Sequence, residues 1–184
     1  MKDQMENRIG PLKDKGIFGA IDLHFAKLMA GLGGGDTDLF LASALVSSQT
    51  RLGHVCLDLQ AFGEKVLDEA MGLRCPGPKA WMDCLAASPV VGGAKDRTPL
   101  VVDGEGRLYL RRYFDYQRVL GDYILEKTCQ PLAEPGEPQA LKEGLSRLFG
   151  DSTGLPDEQK TAACLACLQK FTVISGGPGP RSEE

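Results

Sequence analysis

Apolar positions between Ile17 and Leu32 recur at helical spacing (Ile17, Ile21, Phe25, Leu28), which predicts an amphipathic helix. Gly31 and the run Gly33-Gly34-Gly35 end it. Asp36 then offers an N-cap to a second helix running to Thr50. Its apolar side chains are nearly continuous (Leu39, Phe40, Leu41, Ala42, Ala44, Leu45, Val46), so it is expected in the interior against several neighbours. Val55 to Leu59, after Gly53-His54, is short enough for a strand, and Gln60 to Met71 reads as a helix. Cys75-Pro76-Gly77-Pro78 reads as a loop, because proline blocks helix continuation and glycine loosens the chain. Lys79 to Ser88 returns to helical spacing around Trp81 and Leu85. Between Leu100 and Leu110 two apolar runs flank the turn Asp103-Gly104-Glu105-Gly106, the pattern of a β-hairpin. With Val55 to Leu59 it would form a small antiparallel sheet.

Arg111 to Cys129 reads as a long helix, and Gln130 to Pro138, rich in proline, as a linker. Two more helices are expected, Gln139 to Phe149 and Pro156 to Lys170, the latter with Pro156 in the first turn where its missing N–H costs little. Phe171 to Ser175 has the pattern of a buried strand and runs into Gly176-Gly177-Pro178-Gly179. The expected fold class is therefore α+β and mainly helical. Residues 1–130 form a helical domain with a small antiparallel sheet or hairpin, residues 131–155 a linker and connecting helix, and residues 156–184 the start of a P-loop domain.

Composition supports a folded chain: 184 residues, 42% hydrophobic and 25% charged, suffice for one substantial core. A net charge of -4 and a pI near 5.3 argue against a uniformly basic nucleic-acid coat. The charged N-terminus does not read as a secretory signal, and no apolar run reaches membrane-spanning length. The six cysteines are dispersed, unlike those of small disulfide scaffolds, which places the protein in the cytoplasm with reduced thiols.

A strand followed by a glycine-rich loop is how P-loop proteins present backbone N–H groups to phosphates, in the pattern G-x-x-x-x-G-K-[ST]. With the register started at Gly176, its glycine, lysine and hydroxyl positions hold Arg181, Ser182 and Glu183. Nothing there reaches the β and γ phosphates or holds magnesium, and Glu183 and Glu184 would repel a triphosphate. The chain by itself is expected not to hydrolyse ATP. Gln159, shortly before the strand, is either an adenine contact or a solvated helix residue.

Cys164 and Cys167 have metal-pair spacing, but no second closely spaced Cys or His pair accompanies them, so a packing face is expected and no metal. His24 and His54 lie near no nucleophile, and Asp103 and Glu105 are explained by their turn. Basic and aromatic side chains interleave at Arg107, Tyr109, Arg111, Arg112, Tyr113, Phe114, Tyr116 and Arg118. Arg107, Tyr109 and Arg111 would share the strand face opposite Leu108 and Leu110. Such a patch suits a partner protein first, core and solvated surface second, and direct DNA contact third.

Several segments, in their order and spacing, resemble the RecD family, the alpha subunits of the RecBCD exonuclease V. They are Asp22 to Ala26, Leu41 to Leu45 leading to Gly53 to Leu57, Trp81 to Ser88, Thr98 to Arg111, and Phe171 to Gly179. The similarity covers the family's N-terminal domain and the start of its first helicase domain, and fails after Gly179. It implies a parent that is an ATP-dependent 5′ to 3′ DNA helicase in a heterotrimer that processes broken duplex ends for recombinational repair. ATP and magnesium are the cofactors of the complete family. Gly176, Gly177, Pro178 and Gly179 would be the first half of the phosphate loop and Gln159 the adenine contact. The implied partners are a RecC-like gamma subunit and a RecB-like beta subunit, with DNA reached through the complete complex and no membrane. For this chain the implication is subunit assembly, with Arg107, Tyr109, Arg111, Arg112 and Tyr113 as interface candidates and no cofactor or catalytic residue of its own. A single-stranded DNA-binding module on the Arg107–Arg118 patch, or residual nucleotide binding, are the alternatives. A cloned domain with an unusual tail, a truncated or frameshifted reading frame and a natural short paralogue all fit the ending.

Overall fold

The computed structural model describes residues 16–70, 72–129, 138–150 and 157–176. The chain divides between Arg118 and Val119 into two compact units.

The first unit is built on a helical hairpin. Helix α1 (Ala20–Leu32) begins at Gly19, whose N–H donates to the Asp22 carboxylate at 2.9 Å. It ends at Gly33, where an added Cβ would lie 2.2 Å from Leu39 Cδ2 and 2.8 Å from Ser88 Oγ, so only glycine fits the turn. Helix α2 (Thr37–Arg51) is capped as expected: Asp36 Oδ1 accepts from the N–H groups of Asp38 at 2.7 Å and Leu39 at 3.0 Å. Its near-continuous apolar sequence is buried from Leu39 through Val46. Helix α1 departs from expectation. It turns Leu23, Ala26, Met29 and Ala30 into the core and leaves Ile21 and Leu28 exposed, because both of its faces are apolar and α2 can cover only one.

The fully buried Asp22 joins the two helices. Its carboxylate accepts from Ser47 Oγ at 2.7 Å and from Arg51 Nη2 at 3.2 Å, both on α2.

The strand expected over Val55 to Leu59 is only β1 (Leu57–Asp58), because Asp58 already caps a one-turn helix, α3 (Leu59–Phe62), accepting from Gln60 N at 2.9 Å and Ala61 N at 3.0 Å. The helix expected to Met71 stops at Phe62. Gly63 is pressed against Pro78, with room for no Cβ (2.4 Å from Pro78 Cγ), and Glu64 takes a left-handed φ of 60°. The chain instead forms an antiparallel pair, β2 (Val66–Asp68) and β3 (Leu73–Arg74), closed by Cys75 N donating to Lys65 O at 2.9 Å. Met71 lies outside the described residues.

Helix α4 (Pro78–Ala86) starts on proline and buries Trp81 and Leu85. The Trp81 indole N–H donates to Asp38 O at 3.0 Å, tying α4 to the first turn of α2. The hairpin forms as expected from β5 (Leu100–Val102) and β6 (Arg107–Leu110), with Leu100 opposite Leu110 and Val102 opposite Leu108. β1 adds to β6 antiparallel, and β4 (Val91–Gly92) adds to β5 in parallel, giving the order β1-β6-β5-β4. The sheet is therefore mixed rather than antiparallel throughout. Leu57, Leu100 and Leu108 join the hydrophobic cluster of α1, α2 and α4.

Helix α5 (Arg111–Cys129) follows β6 directly and runs across the boundary between the units. In the second unit α6 (Pro138–Phe149) contacts α7 (Glu158–Leu168), and Lys160 Nζ donates to Gly150 O at 2.8 Å. The second helix is capped by Asp157; Pro156 and the linker at residues 130–137 lie outside the described residues. None of α5, α6 and α7 contains a buried residue. The strand expected at Phe171 to Ser175 is absent: Val173 and Ile174 are 75% and 66% exposed. A strand exists only by pairing, and no other strand occurs among the described residues of this unit. The described residues are thus mainly helical with two small sheets. Among the described residues no helix is long and apolar enough to cross a membrane.

Candidate interaction surface

The arginine and tyrosine side chains singled out between Arg107 and Arg118 are brought together where β6 runs into α5, but most are occupied. Tyr109 alternates with Leu108 and Leu110 as expected, yet its outward face is covered: the ring meets Phe114 of α5 edge-on, with centroids 5.4 Å apart. It is 1% exposed and so presents almost no surface in the isolated chain. Its hydroxyl donates to Asp103 Oδ2 at 3.1 Å; burial and this hydrogen bond push the phenol up to about 12.

Arg107 donates from Nε to the same Asp103 oxygen at 2.7 Å and remains partly exposed. Burial pushes the Asp103 carboxyl up. Hydrogen bonds from the Arg107 backbone and guanidinium, the Tyr109 hydroxyl and the Glu105 backbone outweigh it, leaving Asp103 below the ordinary carboxylate value. Arg111 is turned inward onto the loop after β4, donating to the carbonyls of Thr98 (3.1 Å), Gly93 (3.0 Å), Ala94 (3.3 Å) and Asp96. Arg112 donates to Tyr116 Oη at 2.9 Å and lies over that ring, while Tyr113 meets Tyr116 edge-on. Arg112, Tyr116 and Arg118 are the exposed members of this patch.

Gln159 is an exposed residue in the first turn of α7, its backbone N–H donating to Asp157. Gly176 is exposed; Gly177, Pro178 and Gly179 lie outside the described residues. The six cysteines are free thiols. One cluster was not legible in the sequence: Asp36, Asp38 and Cys84 bring their ligand atoms within 4.8 Å of one another. Cys84 donates its thiol proton to Asp36 Oδ1 at 3.1 Å, and burial followed by this bond pushes the thiol up to about 12. Without a metal the sulfur is held protonated against the cap of α2.

Over this same first unit, the family described as RecBCD enzyme subunit RecD, N-terminal domain, matches residues 14–109. The chain belongs to the RecD family. The RecBCD enzyme subunit RecD of Mycolicibacterium smegmatis is 35% identical over 159 residues, covering 86% of this chain and 26% of the relative. That of Mycobacterium tuberculosis is 33% identical over 166 residues, covering 89% and 26%. The chain thus spans about a quarter of the length of these relatives.

Proposed function

We propose that the chain serves subunit assembly, as the N-terminal part of a RecD-type subunit of an exodeoxyribonuclease V, and that it neither hydrolyses ATP nor touches DNA by itself. Its partners would be RecB- and RecC-type subunits, and DNA would be engaged through the complete complex, in the repair of broken ends. The observation that carries this reading is the family match, which coincides with the part of the chain that holds the hydrophobic core among the described residues. The sequence after Gly176 supports the absence of ATPase activity, since Ser182 stands where a P-loop has its lysine. The engagement of Arg107, Arg111 and Arg112 by carboxylate, carbonyl and phenol groups weighs against a phosphate-binding patch.

Co-purification with RecB- and RecC-type subunits of the same source, followed by titration with labelled ATP and with oligonucleotides, tests it. A stable complex is expected with no submillimolar ATP affinity and no oligonucleotide binding by the isolated chain. Tight ATP binding, or failure to join the complex, would refute the reading.

A further inference from the structure

The loop of residues 93–99, between β4 and β5, is held in shape from several sides. Its two strands are parallel neighbours, and such pairs ordinarily need about a dozen connecting residues or more. The short path is closed at Gly92, where an added Cβ would lie 2.7 Å from both Asp96 Cβ and Thr98 Oγ1. The Asp96 carboxylate turns back to accept from Gly93 N at 2.8 Å, and Thr98 Oγ1 donates to Leu100 O at 2.8 Å. Arg111 completes the frame. Its guanidinium donates to the carbonyls of Gly93, Ala94, Asp96 and Thr98, and its backbone N–H to Pro99 O at 2.9 Å.

We propose that this loop, fixed by Arg111, is a docking element for an acidic segment of a partner subunit, with Lys95 and Arg97 making the contact and Arg118 extending it along α5. This rests on the assembly reading above. Arg111, Asp96 and Thr98 build the loop, whereas the side chains of Lys95 and Arg97 take no part in it. Both residues are exposed, and among the described residues neither forms an ion pair or a side-chain hydrogen bond. Arg118 is likewise exposed and unpaired among them. Seven residues after Arg111, it lies on the same face of α5, roughly 10 Å along the axis.

Three cations without a counter-charge, on a chain of net charge -4, make a local field opposite in sign to that of the molecule. A loop that is already fixed also loses little conformational freedom on binding, so an acidic segment meets a preformed surface. Nucleic acid fits less well. The net charge repels a polyanion, and the rings nearest Arg111, Tyr109 and Phe114, pack on each other rather than being free to stack on bases.

The test follows association of the 184-residue chain with the RecB- and RecC-type subunits of its own source at low and physiological salt. Lys95→Glu combined with Arg97→Glu is expected to slow association about tenfold or more at low salt and to flatten its salt dependence, with the circular dichroism signal kept. Lys95→Arg should associate as the wild type does. A folded double variant with the rate and salt dependence of the wild type overturns the docking loop and leaves the assembly reading standing. A wild-type chain that does not bind overturns both. Arg111→Lys, which cannot fork over several carbonyls, should speed amide hydrogen exchange in residues 93–98 and slow association several-fold; unchanged exchange and association would overturn the part given to Arg111. Oligonucleotide binding by the wild type that the double variant loses would assign the loop to nucleic acid and overturn the proposal.

Discussion

Asp103 shows how a turn residue comes to organise its surroundings. The turn itself was legible, since aspartate and glycine between two apolar runs specify it. What was not legible is that the carboxylate also holds Arg107 and the Tyr109 hydroxyl, which depends on a helix covering Tyr109 from the far side. The consequence is a pH dependence with a defined sign. Because the folded carboxyl sits below its unfolded value of about 3.9, it contributes stability above that pH and loses it as pH falls through the folded value. Asp103→Asn should therefore lower the urea midpoint at pH 7, with the gap to the wild type closing at pH 3. An equal gap at both pH values would mean that the ionised form is not what matters. Residue-scale reading of Asp36 succeeded for the opposite reason: a cap is local, and its partners, Asp38 and Leu39, are adjacent in sequence.

At the scale of elements, long and strongly patterned segments were legible and short ones were not. The bounds of α5 and the existence of α1, α2, α4, α6, α7 and the β5–β6 hairpin follow from periodicity, caps and glycine turns. The two-residue strands β1 and β4 leave no periodic signature, and the false helix after Phe62 was undone by a contact between Gly63 and Pro78 that sequence spacing does not reveal. The α1–α2 hairpin illustrates the same limit: the glycines predict the turn, but Asp22 meets Ser47 and Arg51 only once the helices are folded against each other. Asp22→Ala would leave the Gly19 N–H, the Ser47 hydroxyl and the Arg51 guanidinium without their acceptor. The helix N-terminus and the seam would be weakened together, with an expected loss of roughly 2–3 kcal/mol in urea denaturation. A loss below about 0.5 kcal/mol, the level of an ordinary surface change, would show that water replaces the carboxylate.

For the whole molecule, the partition of buried side chains is the informative quantity. Among the described residues the core runs from Phe18 to Tyr109, and α5, α6 and α7 bury nothing. A chain ending at Cys129 should accordingly unfold in urea with a stability within about 0.5 kcal/mol of the full chain, followed by far-ultraviolet circular dichroism. A deficit of several kcal/mol would mean that the second unit supports the first. The family was legible from ordered sequence segments because these include core positions of the hairpin, α4 and the sheet, whereas the strand expected after α7 needed a neighbour to pair with.

Trp81 gives this partition an optical form. It is the only tryptophan of the protein, it is fully buried, and its indole is bonded to the first turn of α2. Emission excited selectively at the indole therefore samples the seam between α2 and α4, so a dye-free fluorescence trace reads out the RecD-type core.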